Sequence, residues 1–449
     1  MSRLSEFNYF QTRPDGHTIA CNFLSGALAL MTPENYAVFK SIAEKMKASD
    51  DPDFAGAERE LVDQLVYGGF IYNGDDELYN LSFTHLMNRF NQKSLGLNIA
   101  PTMACNMACS YCRKPATEEQ MSAATVEAIL NYIEKNGKRL DHVDINWYGG
   151  EPLLGIDIIE DISESVFDIG DEFGILYSSS LITNGLLLSR EMVDRLARVR
   201  ISVIQVTLDG PAHIHDKKRP AKDGGPTFRT IIENLKYAAT KFVIGLRINI
   251  DKSFTDETIA EVLSELKAAG LAERLGVNFG HIEYSGAACA NLPNGCLNNA
   301  EFSENELAYY RLLHEHGFRI EQLPTPRKLF CPAQDINSFI IDPAGDLYRC
   351  YNYLGEPGKS CDNIRYEIDY THPNFTRLFK FNPFEDETCR KCSLLPVCMG
   401  GCPARRADYD LKKEELCVDW KDNLPQMLEI IALSRQQQAQ AAAAAKEQS

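Results

Sequence analysis

No stretch of this 449-residue chain approaches the ~18 uninterrupted apolar residues that a membrane-spanning helix needs. Nor does an apolar signal core follow the first residues, Met1-Ser2-Arg3-Leu4-Ser5-Glu6. These two absences predict a cytoplasmic protein with no membrane partner. Positive charge is in short supply: 46 Lys and Arg face 63 Asp and Glu, a net charge of −17. So acidic a surface argues against nucleic acid and anionic membranes as partners. It suits a partner that brings positive charge, such as a small basic protein or peptide, and it also serves simply to keep a chain soluble.

What the chain has in unusual number is cysteine, fourteen in all. Disulfides belong to oxidising compartments, and no export signal is visible. The cysteines fall into tight local spacings, which favours metal or cluster ligation. Apolar residues make up 44% of the chain, enough for a large core, and the length suits two to four domains.

Residues 1–93 read as a small separate domain. Strand-like runs at Thr18–Asn22 and Ala27–Met31 precede helical patterns at Pro33–Lys47 and Gly56–Tyr67. Phe70-Ile71-Tyr72 and Leu78-Tyr79-Asn80-Leu81 then read as a hairpin across Asn73–Asp76. That order predicts a winged-helix-like module. Residues 94–285 alternate strand and helix, with strands expected at Leu95–Ala100, Val143–Trp147, Leu176–Ile182, Val203–Leu208, Val243–Ile250 and Gly276–Ile282. Six such units predict an α/β fold, an incomplete (β/α)6 barrel with a parallel sheet. Residues 286–430 are rich in Cys, Gly, Pro and Asn and need staples. Residues 431–449 form a low-complexity tail, either a frayed helix or disordered.

The loop after the first barrel strand carries Cys105, Cys109 and Cys112. Three thiolates cannot fill a four-ligand site. On a [4Fe–4S] cluster they leave one iron open, and the C-terminal ends of barrel strands are where active sites lie. The alternative is a structural zinc with a borrowed ligand. After the second strand comes Tyr148-Gly149-Gly150-Glu151-Pro152. Paired glycines let backbone approach a ligand closely, and a following carboxylate can accept hydrogen bonds from an amine.

With Tyr111 just before the third cysteine, these motifs resemble the radical S-adenosylmethionine (SAM) superfamily. Thr183-Asn184-Gly185 and Gln205 to Pro211 are similar to its later strand ends. The resemblance implies that Cys105, Cys109 and Cys112 hold a catalytic [4Fe–4S] cluster. It implies that S-adenosyl-L-methionine is bound by Tyr111, Gly149, Gly150, Glu151, Asn184, Thr207 and Arg219, with Tyr111 against the adenine. It further implies a 5′-deoxyadenosyl radical that abstracts hydrogen from a C–H bond. No acid–base triad is required by that chemistry, and none is visible. His213 and His215 are read as shaping the loop before Arg219, and Lys217 and Lys218 as facing solvent.

Seven further cysteines, Cys331, Cys350, Cys389, Cys392, Cys398, Cys402 and Cys417, together with Gly345, resemble the SPASM extension of radical enzymes that modify peptides. By that resemblance Cys331, Cys350 and Cys402 hold a first auxiliary cluster, and Cys389, Cys392, Cys398 and Cys417 a second. The protein then carries three [4Fe–4S] clusters. Some relatives place a fourth ligand for the first where this chain has Asn337. Either that iron is open, or Cys289, Cys296 or Cys361 fills it. Cys21 and Cys361 are otherwise read as small buried hydrophobes. Arg405 and Arg406 are expected around the second auxiliary cluster.

Two branches share these motifs. Anaerobic sulfatase-maturating enzymes carry an aspartate proton acceptor after the second array cysteine, where this chain has Tyr351, which becomes a candidate catalytic residue. Many maturases of ribosomally made peptides carry an N-terminal winged-helix domain, which residues 1–93 resemble in element order and which takes a leader peptide as an added strand. The expected function is oxidative peptide maturation, forming a thioether, C–C or C–O crosslink or reworking the backbone. The expected partners are a precursor peptide with a leader sequence and a flavodoxin- or ferredoxin-type electron donor. A formylglycine-generating enzyme, a radical enzyme on a small molecule, and a cluster protein without radical chemistry are the alternatives.

Overall fold

A computed structural model describes residues 2–447 apart from 113, 115, 116, 283–294, 321, 322 and 413. Two compact units divide the chain. One comprises Met1–Arg89, Gln322–Gln334 and Phe381–Ser449; the other comprises Phe90–Glu321 and Asp335–Lys380.

In the first unit, β1 (Ser2–Leu4), β2 (Asn8–Thr12), β3 (Thr18–Asn22) and β4 (Leu28–Met31) precede α1 (Pro33–Ala48) and α2 (Ala57–Tyr67). Then come β5 (Ile71–Asn73) and α3 (Glu77–Arg89). Strands β2, β3 and β4 form an antiparallel sheet in that order. Phe39 and Ile42 of α1 and Leu65 of α2 pack on Ala20 in its centre. Helix α1 starts where it does because Thr32 accepts the Asn35 N–H at 3.2 Å and Pro33 needs no donor partner.

The hairpin expected over residues 70–81 is not formed. Leu78–Leu81 lies inside α3, and β5 pairs antiparallel with β1 instead. Asp76 explains the difference. Its side chain accepts the Tyr79 N–H at 2.8 Å, so the polar run read as a turn caps a helix. The buried residues Glu77, Leu81, His85 and Arg89 follow at four-residue spacing on one face. The unit is completed by a helix over Trp420–Glu447 that continues through the low-complexity segment. Its Glu429 meets Arg13 at 3.0 Å.

In the second unit, β6 (Ser94–Ile99), β7 (His142–Trp147), β8 (Leu176–Thr183), β9 (Val203–Thr207), β10 (Val243–Ile250) and β11 (Leu275–His281) lie parallel in sequential order. Between them run α4 (Ala123–Asn136), α5 (Ile156–Phe173), α6 (Arg190–Arg198), α7 (Ala212–Lys218), α8 (Phe228–Ala238) and α9 (Asp256–Ala268). Ser122, Ser189 and Thr255 cap α4, α6 and α9. This is the expected α/β architecture with a parallel sheet. One addition was not expected. β12 (Ser338–Ile341) joins the outer edge of β6 in parallel, followed by antiparallel β13 (Asp346–Tyr348) and β14 (Asp362–Asn363). Asn337 anchors this extension by donating to the Ser94 carbonyl at 2.9 Å.

Strand alternation sorts the sheet into two faces. Leu97, Ile99, Ile145, Trp147, Ile204 and Val206 are buried on one face. Their neighbours Asn98, Asn146, Ser180, Ile182, Thr207, Arg247 and Asn249 share the other, by the registers Asn98↔Asn146↔Ser180 and Thr207↔Arg247. Asn146 donates to Asn98 at 3.1 Å and Ser180 donates to Asn146 at 3.0 Å, so this face is a polar ladder.

Glu77 is 1% exposed and accepts from Ser5 Oγ at 2.7 Å and the Glu6 N–H at 2.8 Å, joining the N-terminal ribbon to α3. Glu77→Ala leaves both donors without this acceptor. It is expected to destabilise the unit by about 3 kcal/mol, read as a lower denaturant midpoint, and a shift under ~0.5 kcal/mol would refute the assignment.

Candidate active site

The cysteine loop leaves the C-terminal end of β6 and is gripped on two sides. On one side, Tyr148, Gly150 and Glu151 donate their backbone N–H groups to the carbonyls of Ile99, Thr102 and Ala104, at 3.0, 3.1 and 2.8 Å. Gly149 has φ +126°, and a Cβ there would stand 2.6 Å from the Thr102 carbonyl oxygen. At Gly150 a Cβ would collide with the Met103 and Ala104 carbonyls. The paired glycines therefore let the cysteine loop itself come close.

On the other side, Ala108 and Ser110 donate to the carbonyls of Pro220 and Lys218 at 2.9 and 3.0 Å. Lys218, expected in solvent, is the anchor of this strap. Its Nζ pairs with Asp251 at 2.7 Å, and that carboxylate is 3% exposed. His215 is buried and accepts the Asp209 N–H at Nδ1, 3.0 Å away. Burial pushes its imidazole down to about 3, so it stays neutral, and it shapes the loop as expected.

Between these grips lies a cavity of about 400 Å³. Cys105, Cys109 and Cys112 line it together with Tyr111, Gly149, Gly150, Asn184, Thr207 and Arg219. Burial pushes the Cys109 thiol up to about 11, so a bound metal centre would be what holds it as thiolate. Tyr111 donates its hydroxyl to Asp209 and accepts from Arg219 Nη1 at 2.6 Å and Asn249 Nδ2 at 3.2 Å. Asp209 is fully buried and also meets Arg219 at 3.7 Å. Asp209 falls within the Gln205 to Pro211 run, and the motif assigns it no role. Its signal was its place at the end of β9, two residues past Thr207.

Glu151 does not line the cavity. It is fully buried, and its oxygens accept from Thr183 Oγ1 at 2.7 Å, the Asn184 N–H at 2.8 Å and the Leu153 N–H at 3.1 Å. Burial raises its carboxyl pKa against these bonds. It ties the end of β7 to the end of β8, which sets Asn184 against the cysteine loop: Asn184 Nδ2 bonds Asn106 at 2.7 Å and lies 3.9 Å from Cys105 Sγ.

A second cavity, about 320 Å³, shares Tyr111, Cys112, Lys114 and Tyr148 with the first. It continues past Arg247, Asn249, His281 and Leu354. Tyr351 does not line it. Its hydroxyl is held by Asn98 and by Asn146 Nδ2 at 3.0 Å, and its ring packs edge-on to Tyr148 at 5.0 Å.

In the other unit, Cys389, Cys392, Cys398 and Cys417 line one recess with Arg406 and Lys421. Arg406 donates to the Gly400 carbonyl at 2.7 Å, and Arg405 to the Glu415 carbonyl at 2.9 Å. Cys350 belongs to the barrel unit, whereas Cys331 and Cys402 belong to this one. Of the spare cysteines, Cys289 lies outside the described residues and Cys296 is disulfide-bonded. Cys361 is buried and donates to the Leu347 carbonyl at 3.3 Å. Cys21 is 2% exposed, and burial pushes it up to about 12. A single zinc needs all its ligands on one point. Among the described residues no group of three His, Cys, Asp or Glu is arranged to hold one ion. Among them, too, no helix is long and apolar enough to cross a membrane.

Residues 99–266 match the family model described as the Radical SAM superfamily. The AdoMet-dependent heme synthase of Oleidesulfovibrio alaskensis is 24% identical over 343 residues, 70% of this chain and 85% of that protein. The serine-type anaerobic sulfatase-maturating enzyme of Klebsiella aerogenes is 25% identical over 325 residues, 67% of this chain and 77% of that protein. An alignment with an uncharacterized protein of Synechocystis sp. spans only 33% of that protein. The solved structure of native anSMEcpe with bound AdoMet and Cp18Cys peptide shares the fold. Its TM-score is 0.58 at 21% identity, over 76% of this chain and 99% of that one.

The backbone interlock yields a test. Gly150→Ala is expected to push the cysteine loop off the glycine turn and weaken SAM binding at least about tenfold, ~1.4 kcal/mol. Equilibrium dialysis against the anaerobically reconstituted protein measures this. Wild-type affinity in that variant would show that the loops are not interlocked.

Proposed function

We propose that this chain, which carries a radical SAM domain and is on that ground an enzyme, is a maturase of ribosomally made peptides. The observation that carries the reading is the cavity at the strand ends, where three cysteines, two close-packed glycines, Asn184, Thr207 and Arg219 meet. These residues fit a [4Fe–4S] cluster with one open iron and SAM as its ligand, and the pair would supply the carbon-centred radical for hydrogen abstraction.

The chain's own residues do the rest. Gly149 and Gly150 give room for backbone approach beside the cysteines. Arg219, clamped by Asp209 and Tyr111, puts a fixed positive charge against the cavity wall. Tyr111 keeps its ring in place because its hydroxyl is already bound three ways. Asn184 and Thr207 offer polar groups at the ends of β8 and β9. Glu151 positions Asn184. The adjoining second cavity is where a substrate segment would reach the radical.

A protein or peptide substrate agrees with the sulfatase-maturating relative and with the net charge of −17. The peptide-crosslinking branch is favoured over formylglycine formation because Tyr351 stands after Cys350 and its hydroxyl is engaged by Asn98 and Asn146. The first unit would read the leader. Its β4 is a sheet edge with β3 as partner among the described strands, open to an added strand. Along α3, Tyr79, Phe83 and Met87 expose an apolar face at four-residue spacing, being 64%, 54% and 59% exposed. In this reading Cys331, Cys350 and Cys402 hold one auxiliary cluster and Cys389, Cys392, Cys398 and Cys417 another, fed by a flavodoxin- or ferredoxin-type donor.

Anaerobically reconstituted protein should then hold about twelve irons, as three four-iron clusters do. Replacing Cys105, Cys109 and Cys112 by Ala should remove about one third of the iron and abolish 5′-deoxyadenosine formation. Persistent 5′-deoxyadenosine would refute the site.

The leader reading has its own test. Because residues 1–89 share a unit with C-terminal segments, surface substitutions are preferable to deletion. Tyr79→Ser, Phe83→Ser and Met87→Ser together should weaken binding of the precursor peptide by about tenfold or more. SAM cleavage without peptide should be unchanged. Unchanged peptide affinity would make the helix face irrelevant to substrate.

A further inference from the structure

The recess of Cys389, Cys392, Cys398 and Cys417 has a cation at one sulfur. Lys421 stands in the first turn of the helix Trp420–Glu447, four residues past Cys417, and its Nζ is 3.6 Å from Cys417 Sγ. That is hydrogen-bond distance for a sulfur acceptor. The other cation lining the recess is committed elsewhere: Arg406 bonds the Gly400 carbonyl and lies 3.9 Å over the Phe381 ring. Lys421 itself is exposed.

We propose that Lys421 tunes the reduction potential of the second auxiliary cluster by donating an N–H to the Cys417 sulfur. This rests on the reading that these four cysteines hold an iron–sulfur cluster. Four thiolates give such a cluster a negative charge, and accepting one electron adds another. A hydrogen bond and a positive charge at a ligand sulfur stabilise the reduced state more than the oxidised one. The potential is thereby raised, which is one of the levers a protein has over these centres. Lys421 touches neither substrate nor SAM; it acts through Cys417. The consequence is direction: an electron released in the barrel, or delivered by a soluble carrier, comes to rest more readily on this cluster.

The test uses the full chain with Cys105, Cys109 and Cys112 replaced by Ala, so that signals come from the auxiliary clusters. Lys421→Met removes the charge and the donor at similar length, and Lys421→Arg retains both. Each protein is reconstituted with iron and sulfide, and a dithionite redox titration is followed by electron paramagnetic resonance. The expected result is a lower midpoint for one auxiliary cluster in the Met variant, a midpoint near the parent's in the Arg variant, and equal iron per chain in all three. Equal midpoints with equal iron would overturn the role of Lys421. Loss of iron in the Met variant would also overturn it, since the lysine would then be structural. If Cys389→Ala with Cys417→Ala leaves iron per chain unchanged, no cluster sits in the recess, and the underlying reading fails as well.

Discussion

The site depends on one interlock of backbone. The loop that carries Cys105, Cys109 and Cys112 has almost no secondary structure of its own. It is held because its carbonyls accept from the Gly149–Glu151 turn and its N–H groups donate to the strap at Lys218 and Pro220. Each contact needs something particular of its partner. The turn must lack side chains, since a Cβ at either glycine collides with the loop. The strap must be tethered, and Lys218 on buried Asp251 tethers it to the end of β10. Thus four strand ends converge on one loop, and a small displacement in any of them would move the thiols.

Electrostatics completes that arrangement. Packing Arg219, Asp209 and Tyr111 together is tolerable because the guanidinium Nη1, the carboxylate and the hydroxyl bond one another, although Arg219 Nε has no hydrogen-bond partner among the described residues. The result is a guanidinium fixed at a cavity wall in a protein whose overall charge is strongly negative. Buried Glu151 works differently. Its bonds to Thr183, Asn184 and Leu153 place Asn184, and the charged side chains that line the cavity are Arg219 and Lys114. The two cysteine recesses also differ in kind. The barrel site offers three sulfurs beside an open cavity, while the site near the C-terminus offers four sulfurs in a recess edged by Arg406 and Lys421. Open coordination suits chemistry, and closed coordination suits storage and relay of electrons.

Most of the sheet was legible from the chain alone because parallel strands buried on one face and crossed by helices leave a strong alternating pattern. All six barrel strands lie within a residue or two of their expected bounds. Local chemistry misled at one place: Asn73–Asp76 is turn-like in composition, but Asp76 uses its carboxylate to start a helix. Lys218 was misread because charge clusters are usually solvated, and nothing near it in sequence announces Asp251, 33 residues on. The strand Ser338–Ile341 was missed for a related reason. Its pairing with β6 spans more than two hundred residues, and four residues carry too little pattern to be recognised alone.

The sequence by itself determined the cysteine sets, the paired glycines and the alternating barrel, because thiol spacing and hydrophobic period are local properties of a chain. It also put Tyr351 after Cys350, the position where the sulfatase-maturating branch that the motifs resemble carries an aspartate. Only the tertiary structure decided what those residues face. It turned Glu151 into a buried tie and Tyr351 toward the polar ladder of Asn98 and Asn146. It made Asp209 the partner of Arg219, and it brought Lys421 to the sulfur of Cys417. The reason is physical: ligand identity is written in residue type, but orientation and pairing are settled by which strand ends and helix turns meet in space.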